Sequence, residues 1–185
     1  MTTGTAAPTF QLTDTTGREH ELGARAGSPA TVIVFTCNHC PYALAWHGRI
    51  AAVADDYAGR GVEVWCVSSN DAARFPADSP KAMRERVEAE GWRMPYLYDE
   101  TQDVARAYGA RTTPHLYIVD PKGVLVYAGG ITAARGKTGS NVGRTALLEW
   151  IDGGHSMLSS ARVFGCSLFS WLKPEPEAQK AGNGS

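Results

Sequence analysis

The sequence predicts an α/β fold: a mixed central sheet flanked by helices, preceded by an N-terminal β-hairpin. Three observations carry that prediction. Short β-rich runs alternate with amphipathic stretches, the pattern of a largely parallel sheet with helices on its faces. Two runs, TVIVFT (31–36) and VEVWCVS (62–68), are continuously apolar, as strands covered on both faces are. Late in the chain, only the turn PKG separates HLYIVD from VLVYAGG, so these two strands pair antiparallel and make the sheet mixed.

The elements follow in order. PTFQLTDTTGREHEL reads as two short strands around a turn at Thr16 and Gly17. After TVIVFT, residues 38–58 place Leu44, Trp46, Ile50, Val53, Ala54 and Tyr57 at near-helical spacing, and Gly59 and Gly61 end that helix. Beyond VEVWCVS a loop leads to Ser79 as N-cap and Pro80 at the first helical position, where its missing N–H is no loss; this helix stops at Gly91. MPYLYD is a short strand. Asp99 and Gln102 have the form of a capping box, opening a helix to Tyr108 with Gly109 as its C-cap. The hairpin and a final helix, GRTALLEWIDGG, complete the order.

At 185 residues and 43% hydrophobic, the chain supports one core-bearing domain. Residues 1–173 read as that domain, and 174–185, rich in proline, charge and small residues, as a flexible tail. Eighteen basic and 19 acidic residues give a formal charge of −1, which offers no sequence-independent attraction to nucleic acid or anionic membrane. No apolar stretch is long enough to span a bilayer, and MTTGTAAPTF lacks the basic start and apolar core of a secretory signal. A cytoplasmic location is therefore expected.

The chemistry concentrates in TCNHCPY, residues 36–42. Cys37 and Cys40, separated by Asn38 and His39, could be a redox pair, half of a metal site, or two buried thiols. Four cysteines in all (Cys37, Cys40, Cys66, Cys166) are too few for a disulfide-stapled secreted scaffold, which leans the pair toward catalysis or metal. A strand ending at Thr36 and a helix beginning near Asn38 would put Cys37 at a helix N-terminus, where backbone N–H groups and the dipole favour a thiolate. His39, when protonated, would add to that. The expected cycle has Cys37 attack a disulfide sulfur and Cys40, one turn on, resolve the mixed disulfide. A metal site would need two more ligands from Cys66, Cys166, His39 or His155, and no second close-spaced pair exists. In RTTPHLYIVD, Thr113 and Pro114 precede a strand, the place a proline must take because it cannot donate within a ladder.

The segments FTCNHCPY, VSSNDAARFPADSPKAMRERV, MPYLYDETQDVARAYGARTTPHLYIVDPKGVLVYAGGI and GCSLFSWLK resemble the thioredoxin superfamily. Within it, the chain is similar to the peroxiredoxin-like branch of the family that groups alkyl hydroperoxide reductases with thiol-specific antioxidants. The resemblance covers residues 8–173. It implies a thioredoxin-like fold, with Pro114 as a cis-proline facing the cysteines and Thr113 and Thr36 beside it as substrate-binding positions. It also implies a redox-active Cys37–Cys40 disulfide in place of a cofactor, no metal, and no nucleic-acid or membrane partner. The partners would be a protein or small-molecule thiol or disulfide, or a hydroperoxide, with an external thiol reductant.

Two departures shape the expected activity. Peroxiredoxins proper carry Pro-x-x-x-Thr-x-x-Cys, where this chain has Ala30 and Val34 before Cys37. Thioredoxins proper carry a Trp immediately before the first cysteine and a buried acid six residues before it; here those positions are Thr36 and Thr31. His39, Glu63 or a water would then accept the Cys40 proton. Thiol–disulfide exchange is the first expectation. A peroxidase, with Cys37 oxidised to a sulfenic acid that condenses with Cys40 or Cys166, is the alternative. A non-catalytic thiol or metal-binding module is the third.

The remaining candidates are weighed against plainer roles. Cys66, inside a strand, reads as core, as do Trp46 and Trp65. Cys166 is a candidate third redox cysteine, against a buried and silent one. His115 could line the site or be structural, and Arg111, Arg135 and Arg144 read as solvated surface. No nucleotide, flavin or haem motif is present, so electrons must come from an external thiol system.

Overall fold

The computed structural model describes residues 1–23, 28–131 and 141–168. The expected tail, 174–185, and Arg135 lie outside the described residues. Six strands form the central sheet: β3 (Thr31–Phe35), β4 (Glu63–Ser68), β5 (Tyr96–Tyr98), β7 (His115–Val119), β8 (Leu125–Gly129) and β9 (Ser160–Ala161). Their order is β5-β4-β3-β7-β8-β9. Strands β5, β4 and β3 run parallel, β7 is antiparallel to both its neighbours, and β9 runs parallel to β8. The fold is thioredoxin-like, as expected, with a separate N-terminal hairpin of β1 (Phe10–Thr13) and β2 (Glu19–Leu22).

Strand alternation divides the core in two. Val32 and Val34 point to the face that also buries Trp46, Ile50, Tyr57, Leu116 and Leu147. Helix α1 (Pro41–Ala58), helix α2 (Pro80–Glu90) and helix α4 (Val142–Gly153) supply that cover. Ile33 and Phe35 point the other way, to Trp65, Leu97, Tyr108, Tyr117 and Leu125, beneath the hairpin and helix α3 (Asp103–Tyr108). Cys66, Trp46 and Trp65 take the core positions expected of them; burial alone raises the Cys66 thiol far above its ordinary range. The hairpin also reaches the sheet's edge, where Asp14 bridges Leu97 and the Thr15 N–H donates to the Tyr96 carbonyl at 3.1 Å.

Two helix starts differ from expectation, each for a local reason. α1 begins at Pro41, three residues later than the spacing predicts, with Cys40 as its N-cap at φ −81°, ψ 120°. A residue before proline is pushed to extended backbone, and the Asn38 N–H is taken by a side-chain carboxylate instead of a helical carbonyl. α3 begins at Asp103, after Gln102 in the left-handed region at φ 65°. The Asp99 carboxylate still caps it, accepting from the Val104 and Ala105 N–H groups. The Gln102 amide donates across to the Ser69 carbonyl at 2.7 Å rather than back to Asp99. α2 is as expected: the Ser79 hydroxyl accepts from the Ala82 N–H, Pro80 opens the helix, and Gly91 closes it at φ 63°.

Three short strands were not expected: β9, at the sheet's edge, and a pair that meets at the sulfurs. β6 (Thr112–Thr113) and β10 (Cys166–Ser167) pair antiparallel, in register Cys166 with Thr113. That pairing brings the end of the described chain onto the site.

Candidate functional site

The site lies where the loop between β3 and α1 meets the turn between β6 and β7. Cys37 and Cys40 are both 0% exposed, and they cluster with Ala43 and the half-buried Cys166. The Thr113–Pro114 peptide is cis and faces the sulfurs, as the resemblance implied. The Thr113 hydroxyl lies 3.2 Å from the Cys37 sulfur, and the Cys40 thiol lies 3.3 Å from the Thr113 carbonyl oxygen.

Cys40, rather than Cys37, takes the N-cap of the 18-residue helix α1, so the helix dipole favours negative charge there, the direction in which its thiol is shifted. Its sulfur accepts first from the Cys37 thiol, then from Cys166, both its thiol and its backbone N–H, and from the Ala43 N–H; together these outweigh burial and hold it at about 4. Cys37 is pushed the opposite way: it donates to Cys40, it is desolvated, and the Asp78 carboxylate stands close to it.

Asp78 is the residue the sequence reading missed. It is 0% exposed, in the short 3₁₀ turn Pro76–Asp78 just ahead of α2. Its carboxylate accepts from the Asn38 N–H at 2.6 Å, from His39 Nδ1 at 2.5 Å and from the Asn70 amide at 2.9 Å. Asn38 completes the clamp: its amide donates to the Ala77 carbonyl and its side-chain oxygen accepts from the Tyr96 hydroxyl. Only a capping-like Asp before Ser79 and Pro80 marked Asp78 in the sequence, and nothing there said that its partner lay some 40 residues upstream.

His39 is correspondingly redirected. Its ring stacks on Phe75 at 4.2 Å and 10°, and its positive partner role is spent on Asp78. The carboxylate that pairs with His39 is also the one that opposes ionisation of Cys37. Glu63 is no proton acceptor either: it stands opposite Thr31 in the β3–β4 register, at the far end from Phe35 and the cysteines. Among the described residues, one group has the spread of a metal site: the Cys37 sulfur, His39 and Asp78 lie within 4.8 Å of one another. Asp78 already serves three hydrogen-bond donors there.

Other candidates fall away from the sulfurs. The Thr36 hydroxyl bonds to His47 Nε2 at 3.0 Å, inside the core. His115 Nδ1 accepts from the Arg111 N–H and meets the Tyr117 hydroxyl, each at 3.2 Å, which makes it a structural residue. Arg111 is exposed, and Arg144 lies on the surface beside Asp56. Desolvation holds His47 at about 4 and His115 at about 3. Both are therefore neutral in the folded chain while the unfolded chain charges them below about pH 6.5. Their contribution to stability is whole above that pH and drains as pH falls toward 4 and 3, at roughly 3 kcal/mol for His47 and roughly 5 kcal/mol for His115. Urea midpoints should fall steadily between pH 7 and 4; a flat profile would show that these imidazoles titrate normally.

Comparison with known proteins agrees with the fold and the family resemblance. Residues 3–128 match the model of the AhpC/TSA family. The chain is 38% identical to an uncharacterized conserved protein of Geobacillus kaustophilus, at a TM-score of 0.82 over 95% of this chain and 94% of that one. It is 33% identical to a hypothetical protein of Sinorhizobium meliloti 1021, at 0.84 over 95% and 97%. The thioredoxin domain of a thiol-disulfide oxidoreductase from Bacteroides vulgatus shares the fold, at 18% identity and a TM-score of 0.64 over 82% and 99%. A search of the curated proteins returns no match.

Proposed function

The chain belongs to the AhpC/TSA family and has a redox function, and from that premise we propose that it is a thiol–disulfide oxidoreductase working through a reversible Cys37–Cys40 disulfide. One observation supports this reading above the rest: the two thiols are buried in one cluster against the cis Thr113–Pro114 turn, 3.2 and 3.3 Å from the Thr113 hydroxyl and carbonyl oxygens, and their ionisations are shifted in opposite directions. That arrangement is a nucleophile with a proton donor beside it. The Cys40 thiolate attacks a disulfide sulfur of the partner and expels the partner's other sulfur, which takes up a proton. Cys37 then gives up its proton and attacks the Cys40 sulfur, closing the internal disulfide and releasing the partner as a thiol. Two electrons pass from the pair to the partner, and an external thiol returns them. The Thr113 carbonyl and hydroxyl flank the reacting sulfurs.

Nothing favours the peroxidase reading to the same degree. Positions Ala30 and Val34 are buried and apolar, Thr36 is turned inward to His47, and Cys37 holds its proton. The discriminating experiment equilibrates the protein in graded dithiothreitol, maps its disulfides by mass spectrometry, and runs a hydrogen peroxide challenge alongside. A Cys37–Cys40 disulfide with a defined potential and slow reaction with peroxide supports exchange. Rapid sulfenic acid formation at Cys37 makes the protein a peroxidase.

A titration checks the charge assignment separately. Ultraviolet thiolate absorbance of the reduced protein should persist well below the ordinary thiol range near 8.5, fading only toward pH 4. Loss of the signal near pH 8 would return the charge to an ordinary, unassisted thiol.

A further inference from the structure

In the reduced chain Cys37 and Cys40 are both fully buried, so a partner must part their cover to meet Cys40. Cys166 is the more open of the three clustered cysteines. Its position is built rather than incidental. The β10–β6 pairing sets Cys166 opposite Thr113, and the Leu168 N–H donates to the Arg111 carbonyl at 2.9 Å with the Leu168 side chain fully buried. Gly165 lies flat on the Thr113 carbonyl: a Cβ there would sit 2.0 Å from its oxygen and 2.6 Å from its carbon, so any side chain would lift the strand. The Cys40 thiol rests on that same carbonyl oxygen. One carbonyl thus locates both sulfurs, and Cys40 shares one packed cluster with Cys37 and Cys166.

We propose that Cys166 is the third member of the redox site, taking the disulfide from the buried pair by isomerisation to Cys40–Cys166 and presenting it to an external thiol. This deepens the exchange reading and rests on it. In the step, the Cys166 sulfur attacks the Cys40 sulfur, the Cys37–Cys40 bond breaks, and the proton of Cys166 passes to the departing Cys37. One S–S bond forms as one breaks, so no outside oxidant or reductant is consumed. An external thiolate then attacks Cys166, the reachable sulfur, and Cys40 departs. Departure is easy because Cys40 carries its negative charge readily, and a thiol of low pKa leaves fastest. Cys166, raised to about 12 by burial first and by its donation to Cys40 second, is protonated at rest, which keeps this half-buried thiol from idle oxidation.

The test is disulfide mapping of Cys37→Ser over the same dithiothreitol series as the unmutated protein. The variant should become two hydrogens lighter on oxidation and yield a Cys40–Cys166 linked peptide, and the double variant Cys37→Ser/Cys166→Ser should not. The unmutated oxidised chain should yield the same linked peptide beside the Cys37–Cys40 one, a measurement that needs no variant to fold. If Cys37→Ser keeps both thiols open to alkylation while the unmutated chain closes Cys37–Cys40 and no Cys40–Cys166 peptide, the third member is ruled out and the exchange reading stands. If the unmutated chain forms no disulfide at all, both fall.

Discussion

Cys40→Ser is expected to remove two-electron turnover altogether. Cys40 is the sulfur common to both disulfides the cluster can form, and the one that holds the charge. What remains is Cys37, held protonated by its desolvated setting and the Asp78 carboxylate. At pH 7 a thiol with a pKa of 9 or more is under about 1% thiolate, so even single encounters should slow by roughly two orders of magnitude. Any mixed disulfide that does form on Cys37 has lost its resolving partner Cys40, with Cys166 as the one clustered thiol left, and should accumulate. Insulin-disulfide reduction followed with and without the substitution measures the first effect, and non-reducing mass spectrometry the second. Turnover within tenfold of the unmutated rate would show that the charge sits elsewhere.

Asp78→Ala should be the most destabilising change among the site's supporting residues. It leaves the Asn38 N–H, the Asn70 amide and His39 Nδ1 without their shared acceptor in a place water does not reach. Breaking one partner out of a buried, charge-assisted set costs about 3–5 kcal/mol, or roughly 10 °C in Tm for a chain of this size. Asp78→Asn separates structure from electrostatics. It keeps an acceptor for the Asn38 N–H and the volume of the side chain, but removes a negative charge beside the sulfurs that opposes any thiolate in the reduced pair. The reduced pair is then favoured over the disulfide, and the potential should rise, by about 30 mV for each ~1.4 kcal/mol gained by the dithiol. A potential unchanged or lowered in Asp78→Asn would remove Asp78 from the tuning of the pair and leave it a purely structural clamp.

The sequence carried the sheet, because buried strands such as TVIVF have a residue composition that nothing else needs. It carried α2 almost to the residue, because Ser79, Pro80 and Gly91 each act through their own backbone. It placed Thr113 and Pro114 at the sulfurs by resemblance to a fold, and the structure agrees. What stayed hidden is what depends on distant partners. Asp78 meets Asn38 and His39 only in the folded chain, so a buried acid beside the sulfurs stayed out of sight in a segment 40 residues away. The start of α1 shifted for the same reason, and with it the cysteine that receives the helix dipole. Cys166 could be seen as a candidate, but its register with Thr113 is set by a two-residue strand too short to leave a pattern.

The hairpin of β1 and β2 has a consequence beyond decoration of the sheet. A six-stranded sheet ends in two lines of unpaired N–H and C=O groups, each a template on which a foreign strand can add. At one end the closing strand, β9, is two residues long and gives an invader almost nothing to pair with. At the other, Asp14 and Thr15 lie along β5 and occupy part of its open side with backbone contacts to Leu97 and Tyr96. The hairpin therefore works as an edge guard. It keeps a sheet whose strands are almost wholly apolar from recruiting its own copies into a growing aggregate.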